Sequence, residues 1–94
     1  MNIYLISQSV NNDYDTYDSA VVAAETEADA RLIHPSEHYA RCEDGWGFGY
    51  ADGDVKYEGK TTYDWCSSED VRVRLVGVGT PMDRGVILSS FNAG

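Results

Sequence analysis

The stretch "IYLISQSVNNDYDTYDSAVVAAE" (residues 3–25) contains two apolar runs separated by a polar, acidic corner. β-Branched and aromatic residues alternate partly with polar ones from Ile3 to Val10, which predicts a first strand. Asn11 to Asp13 is typical of a turn. Ser19 to Glu25 is a second apolar run, too short to be a helix of its own. The simplest topology pairs these two runs as antiparallel strands.

A helix is predicted directly after the second strand. Thr26, with Asp29 three residues later, resembles an N-cap, and Glu27 adds negative charge to the first turn, where the helix dipole favours it. The helix is expected to continue through "EADARLIH" (27–34) and to end before Pro35. Glu27 and Arg31 are expected to form a weak surface ion pair. The residues expected to face the core are Ala28, Ala30 and Leu32.

The second half of the chain is predicted to add more strands. Residues 35–45 are expected to be irregular, whereas Asp52–Gly53 lies between aromatic-rich flanks and predicts a hairpin within a meander over 46–63. "VRVRLVGVG" (71–79) and "GVILSSF" (85–91) are the clearest strand patterns. The predicted fold is therefore one α+β domain over residues 1–94. Its antiparallel sheet has four to five strands with one helix packed on it, in the order β-β-α-(β-hairpin)-β-β.

The charge balance restricts the classes of partner. Sixteen Asp and Glu against seven Lys and Arg give a formal net charge of −9, which excludes direct DNA or RNA binding because that needs cations to neutralise phosphates. The apolar content of 43% is enough for a folded core. The amino terminus does not resemble a leader, and no stretch approaches a membrane span. We expect a cytoplasmic monomer without membrane contact.

No motif in the chain predicts catalysis or a cofactor. His34, His38, Cys42 and Cys66 have the side chains that bind zinc, but Pro35 interrupts a helical spacing of the two histidines, and no CxxC pair is present. The simpler interpretation is one helix-capping histidine, one exposed histidine and two free thiols. No serine lies in a nucleophile elbow. The sequence therefore predicts a protein that is not an enzyme and holds neither metal nor cofactor.

Negative charge is concentrated in the first third of the chain. Residues 1–30 contain six acids and no Lys or Arg, so we expect one end of the molecule to be electronegative. One interpretation is a solvated face that keeps the protein soluble. The other is a surface that imitates nucleic acid for a basic protein. The predicted contact residues combine carboxylates with two aromatic anchors: Asp13, Tyr14, Asp15, Tyr17, Asp18, Glu25, Asp29, Glu43, Asp44, Asp52 and Asp54.

Three segments carry a resemblance to a known group of proteins. "YDTYDSAVVAAE" (14–25), "ARLIHP" (30–35) and "GVILSSFNAG" (85–94) together resemble a family of small acidic proteins encoded by phages and prophages. The likeness covers most of the chain and is weakest over 36–64. Proteins of this kind resemble anti-CRISPR proteins, which block bacterial CRISPR–Cas complexes. The resemblance implies inhibition of a type I surveillance complex (Cascade), and no enzyme motif is carried over with it.

Two functions from different classes follow. In the first, the acidic surface mimics DNA and occupies the basic DNA-binding surface of the CRISPR–Cas effector complex. In the second, the protein is a phage accessory or assembly module that binds another phage protein through a sheet edge or exposed tyrosines, and its acidity serves only solubility. A metal-binding or redox protein is a third class, which elemental analysis and thiol titration would test.

Overall fold

Strands dominate the architecture. The structure, a computed structural model, describes residues 1–11, 14–50 and 53–92. Within these ranges the chain forms seven strands, one short helix and one 3₁₀ turn at Ser68–Asp70. In chain order they are β1 (Asn2–Ser7), β2 (Thr16–Ala24), α1 (Glu27–Ala30), β3 (Tyr39–Cys42), β4 (Gly45–Gly49), β5 (Val55–Gly59), β6 (Arg72–Gly77) and β7 (Gly85–Asn92).

The strands form two antiparallel sheets, with the predicted β1–β2 pair at the centre of the larger one. That sheet has the order β6-β1-β2-β7, and Tyr4 of β1 lies opposite Val22 of β2. The smaller sheet has the order β3-β4-β5. Antiparallel pairing agrees with the prediction. The expectation of one sheet with four to five strands is wrong, because β4 pairs with β3 and β5 instead of joining the larger sheet.

The two strongest strand patterns do not pair with each other. β6 pairs with β1 and β7 pairs with β2, so they form opposite edges of the larger sheet. The alternation predicted for β6 is only partly present. Val71 is buried and Val73 is partly buried, but Leu75 is exposed because nothing among the described residues covers that end of the edge strand.

The predicted helix exists but is shorter than expected. The Thr26 Oγ1 accepts a hydrogen bond from the Asp29 backbone N–H at 3.1 Å, as an N-cap does. After Ala30, the N–H groups of Leu32 and Ile33 bond to carbonyls three residues back, so the chain tightens into turns before Pro35. With only four residues in the helix, Ala30 is buried and Ala28 is exposed. The predicted core position of Ala28 is therefore wrong.

The segment 35–45 contains a strand that its sequence pattern does not predict. β3 reads "YARC" (39–42), and it pairs with β4 from Tyr39–Phe48 to Cys42–Gly45. Only four residues with mixed side chains give too short a pattern to recognise. The hairpin expected around Asp52–Gly53 is confirmed as the β4–β5 connection, although Asp52 itself lies outside the described residues.

Glycine and aromatic residues alternate along β4, so its two faces differ, and the aromatic face packs against the larger sheet. Trp46 faces the common core, which it shares with Trp65, Tyr4, Ile6 and residues of β2. The opposite face of β4 has no side chains at Gly45, Gly47 and Gly49. A Cβ at Gly45 would lie 2.3 Å from the Gly59 carbonyl oxygen and 2.8 Å from the Tyr57 ring. The absence of side chains at these positions therefore allows β5 and the Tyr57 ring to lie close to β4.

The close approach at Gly45 predicts a large difference between two otherwise similar substitutions. Gly45→Ala should reduce the free energy of unfolding by roughly 2 kcal/mol or more, because the contacting atom is backbone that cannot rotate away. Gly49→Ala is the control, since its Cβ would meet only the His38 carbonyl oxygen at 3.7 Å. Its effect should stay within about 0.5 kcal/mol. Urea denaturation measures both, and equal losses would contradict the packing role assigned to Gly45.

Candidate functional site

The acidic corner, defined as Tyr14, Asp15 and Asp18, lies at the end of the β1–β2 hairpin. Asp13 was predicted to belong to it and lies outside the described residues. Tyr14 and both aspartates are exposed, with 70% of Tyr14 accessible. Asp15 has a positive φ of 62°, and its N–H donates to the Asn92 carbonyl oxygen at 2.6 Å. The corner is thus tied to the end of β7.

Buried Gln8 organises the backbone beside this corner. Only 5% of Gln8 is exposed, and its amide makes four hydrogen bonds to main-chain groups. Its Oε1 accepts from the N–H groups of Val10 (3.0 Å) and Asn11 (2.8 Å), while its Nε2 donates to the carbonyls of Asn11 (2.7 Å) and Tyr17 (2.8 Å). All four hydrogen-bonding positions of the amide, two donors and two acceptor lone pairs, are used. The corner is therefore held on a fixed support.

Tyr17 has a different role from Tyr14. Its ring is half-buried and lies edge-on to Phe91, with ring centroids 4.8 Å apart. Phe91 is 46% exposed, and its ring covers Tyr17 from the outside. Tyr17 therefore supports the corner from below, and Tyr14 is the aromatic side chain that is available for contact.

Glu25 and Asp29 lie far from the corner. β2 separates them from Asp18, and the eight residue steps from Thr16 to Ala24 span roughly 26 Å. Asp29 is also neutralised, because both of its carboxylate oxygens accept from the Arg84 Nε at 2.9 Å. The expectation that the acids of residues 1–30 gather at one end of the molecule is wrong for the described residues. They occupy both ends of one strand.

The remaining predicted contact residues belong to the smaller sheet. Glu43 and Asp44 form the exposed β3–β4 turn, where Glu43 has a positive φ of 53°. The Tyr57 hydroxyl donates to Asp44 at 3.1 Å, and the Lys60 ammonium lies 4.0 Å from the same carboxylate. Asp54 lies in the β4–β5 turn, at the opposite end of β4. The predicted set thus falls into four separate places, with the corner as its most coherent group.

The most elaborate polar arrangement was missed by sequence reasoning. The side chain of His34, predicted as a helix cap, is fully buried between the sheets. Its Nδ1 accepts from the Ser36 N–H at 2.9 Å, so the neutral ring carries its proton on Nε2, which donates to the Thr62 Oγ1 at 2.8 Å. Thr62 in turn donates to Asp64 at 2.9 Å. No local signal could reveal this, because the partners lie 28 and 30 residues apart.

Aromatic rings surround His34 on several sides. Tyr39 stacks on the imidazole at 4.5 Å between ring centroids, and Trp46 meets it edge-on at 5.2 Å. Burial lowers the pKa of His34 below 6.5, and this effect outweighs the opposing attraction of Asp64. Burial also acts on Asp64 and raises its pKa, but the hydrogen bonds from His34 and Thr62 prevail and hold that pKa below 3.8. His34 is therefore a neutral packing and hydrogen-bonding residue at neutral pH.

The histidines and cysteines do not form a metal centre. Among residues 1–11, 14–50 and 53–92, no group of three or more His, Cys, Asp and Glu is arranged to hold a metal ion. Cys42 and Cys66 are both free thiols, as predicted. Burial, with a smaller contribution from Asp70, raises the pKa of Cys66 to about 11. Its thiol is therefore protonated at neutral pH and is a poor nucleophile.

The buried imidazole makes stability depend on pH. Between the lowered folded-state pKa of His34 and its unfolded value of 6.5, the unfolded chain binds more protons than the folded one. Stability should therefore fall as the pH decreases below about 6.5, and fall again near pH 3.8 and below, as Asp64 is protonated. The melting temperature should decrease by roughly 4–8 °C for each kcal/mol lost.

Two measurements assign this first pH window to His34. The imidazole Cε1–H resonance of His34 in the wild-type protein should titrate with an apparent pKa below 6.5. His34→Gln should remove the dependence between pH 7 and pH 5, and the exposed His38→Gln should retain it. If the melting temperature of His34→Gln fell as steeply between pH 7 and pH 5 as that of the wild-type protein, the effect would belong to another group.

Gln8 offers a separate prediction about the support of the corner. Gln8→Leu leaves two N–H and two carbonyl groups without their partner, and we expect a loss of roughly 2–3 kcal/mol in the free energy of unfolding. Gln8→Glu keeps the two accepting bonds at Oε1 but places a carboxylate oxygen against the carbonyls of Asn11 and Tyr17, so it should also lose stability at neutral pH. Hydrogen exchange at the amides of Val10 and Asn11 should accelerate in Gln8→Leu. Unchanged exchange would mean that the amide does not hold the corner.

No helix among the described residues combines the length and apolar character needed to cross a membrane.

Comparison with known proteins does not add a relative. Searches of the sequence against family models and curated proteins, and of the structure against solved structures, gave no match.

Proposed function

We propose that this protein is a non-catalytic, anti-CRISPR-like inhibitor whose acidic corner binds the basic DNA-binding surface of a type I CRISPR–Cas surveillance complex (Cascade). In the proposed complex, carboxylates pair with Lys and Arg side chains that otherwise contact DNA phosphates, and target DNA is excluded by competition. The observation that carries the proposal is the corner itself. It presents exposed acids and an exposed tyrosine on a backbone fixed by Gln8.

The hydrogen bonds from Gln8 to Val10, Asn11 and Tyr17 support the corner and favour binding there. A loop that is ordered before it meets its partner loses little conformational entropy on association. Charge complementarity accelerates the encounter and fixes the register of the two surfaces. Tyr14 supplies a large, exposed ring next to Asp15, and Tyr is among the residue types enriched at the anchoring positions of protein interfaces. These features suit a small protein that acts by occupying a surface.

The size of the molecule limits how much DNA it can replace. Its longest dimension is 33 Å, and duplex DNA carries one charge per ≈ 1.7 Å, so a full imitation over that length needs roughly 19 charges. The chain has sixteen acids. Glu27, Asp29 and Asp44 already lie beside Arg31, Arg84 and Lys60. The proposed mimicry is therefore local and replaces only a few phosphates.

The position of Glu25 and Asp29 narrows the proposed contact surface. A partner that covers the corner would need to extend along the whole of β2 to reach them, and Asp29 already binds Arg84. We therefore restrict the proposed contact to Tyr14, Asp15 and Asp18, together with the neighbouring Asp13 from the sequence. The other predicted acids contribute to the general negative field and so to the rate of encounter.

The phage accessory or assembly module remains the second candidate. The observation that favours it is the outer face of the larger sheet, where Leu88 is 67% exposed and lies opposite Val21. Affinity capture from infected cells distinguishes the two functions. A virion or replication component retained by the corner variant described below would favour this second candidate over inhibition of Cascade.

A charge-matched pair of variants tests the proposed inhibition. Asp15→Asn with Asp18→Lys raises the charge of the corner by three, and Asn tolerates the positive φ at position 15. We expect at least a tenfold loss of affinity for purified Cascade and restored target-DNA binding in a mobility-shift assay. Glu58→Gln with Glu69→Lys makes the same charge change at exposed positions outside the corner and should reduce affinity far less.

The salt dependence of the same complex tests the mechanism separately. Exposed charge pairs are screened over about 8–10 Å at ordinary ionic strength, so affinity should fall by roughly tenfold between 50 and 300 mM salt. Affinity that is flat with salt, or equal losses in the two variants, would refute electrostatic competition at the corner. An absence of Cascade binding across type I subtypes would refute the function itself.

A further inference from the structure

A groove runs along the free edge of the larger sheet. Its main part has a volume of about 560 Å³ and lies between the start of β7, at Gly85 and Val86, and strand β3 of the smaller sheet. A second part of about 320 Å³ continues along β7 to Ser89. The two parts share Glu37 and Val86, so they form one elongated depression. This shape differs from the enclosed cavity expected for a compact ligand.

On the β7 side of the groove, the outward-pointing backbone N–H and C=O groups are not paired with another strand among the described residues. β7 is hydrogen-bonded to β2 on one side and is the edge strand on the other. No residue in the described parts of the chain bonds to the outer edge of Val86–Ser89. An edge of this kind pairs readily with another extended chain. From Gly85 to Ser89 it spans roughly 13 Å, which accommodates four to five residues of an added strand.

Two arginines lie at the end of the groove where β7 begins. Arg84 uses only its Nε to bind Asp29, and Arg41 uses one Nη to donate to the Ser68 Oγ at 2.7 Å. Within the described residues, both Nη groups of Arg84 and the remaining Nη and Nε of Arg41 have no partner. These are donors in the planar arrangement that binds carboxylates. Arg84 is paired with Asp29, whereas Arg41 has no carboxylate partner among the described residues, so the groove end offers free guanidinium donors and the positive charge of Arg41 in a protein of net charge −9.

The rest of the lining determines what else can bind. Leu32 and Val86 make part of the floor apolar, and Glu37 places a negative charge at the middle of the groove. A ligand with several acidic side chains would be repelled by Glu37, whereas a ligand with a single carboxylate at the arginine end of the groove would not be. Residues 35–41 line the side of the groove opposite β7, so the groove has the elongated form that suits one extended segment.

We propose that this groove binds the extended C-terminal segment of a partner protein, added as a strand to β7, with its terminal carboxylate held by Arg84 and Arg41. Because the arginines lie at the amino end of β7, the segment runs antiparallel to β7. Apolar side chains at alternate positions face Leu32 and Val86. The two arginines lie at the opposite end of β7 from the acidic corner, although the far part of the groove reaches Tyr17, so we expect the carboxylate site to be separable from the proposed inhibition.

A display library of random hexapeptides with free C-termini tests this site. We expect enrichment of peptides with alternating apolar residues, and a selected peptide should lose at least tenfold affinity when its carboxylate is converted to the amide. Arg84→Gln and Arg41→Gln should each weaken binding of the free acid by roughly fivefold or more. Arg74→Gln is the matched control, since it removes the same charge from the other edge strand and should leave binding unchanged.

Backbone pairing has its own readout. Binding of the selected peptide should slow hydrogen exchange at alternate amides of Val86–Ser89 and leave β6 unaffected. The proposal is overturned if no peptide is enriched, if acid and amide bind equally, or if Arg74→Gln weakens binding as much as Arg84→Gln. Light scattering that shows a dimer built through β7 would also overturn it. Peptide binding that survives in the corner variant, whatever that variant does to Cascade, separates this site from the proposed inhibition.

Discussion

The two sheets depend on one buried contact, in which His34 of the segment after the helix packs among Tyr39, Trp46 and Trp65. The core has few large side chains, and its strands contribute mostly alanine and valine. Two tryptophans therefore supply most of the large apolar surface between the sheets. Placing a polar ring among them requires that each ring nitrogen be bonded, and Ser36 and Thr62 fulfil that requirement. The neutral state of the imidazole follows from this packing.

The same region reaches the acidic corner through the main chain. Asp64, whose side chain belongs to the His34 network, accepts a hydrogen bond from the Tyr17 N–H through its carbonyl at 3.0 Å. Asn11 donates its side-chain amide to the Tyr63 carbonyl at 2.9 Å. The loop of residues 62–65 thus connects the buried network to the proposed contact surface. Hydrogen bonds therefore connect the residues that flank the corner to the core.

Sequence reasoning succeeded where short-range chemistry decides the structure. The β1–β2 pair, the Thr26 cap, the Glu27–Arg31 ion pair and the hairpin after Gly49 all depend on residues close together in the chain. It failed where distant residues decide. β3 is a strand because β4 lies beside it, and the burial of His34 depends on Thr62 and Asp64. The contact residues were chosen by charge alone, which could not indicate that Arg84 neutralises Asp29 or that β2 separates Glu25 from Asp18.

The sheet order also determines when the protein can fold during synthesis. The central strands β1 and β2 are made first, but their outer partners are β6 and β7, which come from residues 72–92. An isolated two-stranded hairpin is at best marginally stable in water. The β1–β2 pair must therefore remain without its sheet partners until residues 72–92 have been synthesised and are free to fold. Folding is then limited by closing long loops, as in other proteins dominated by non-local strand pairing.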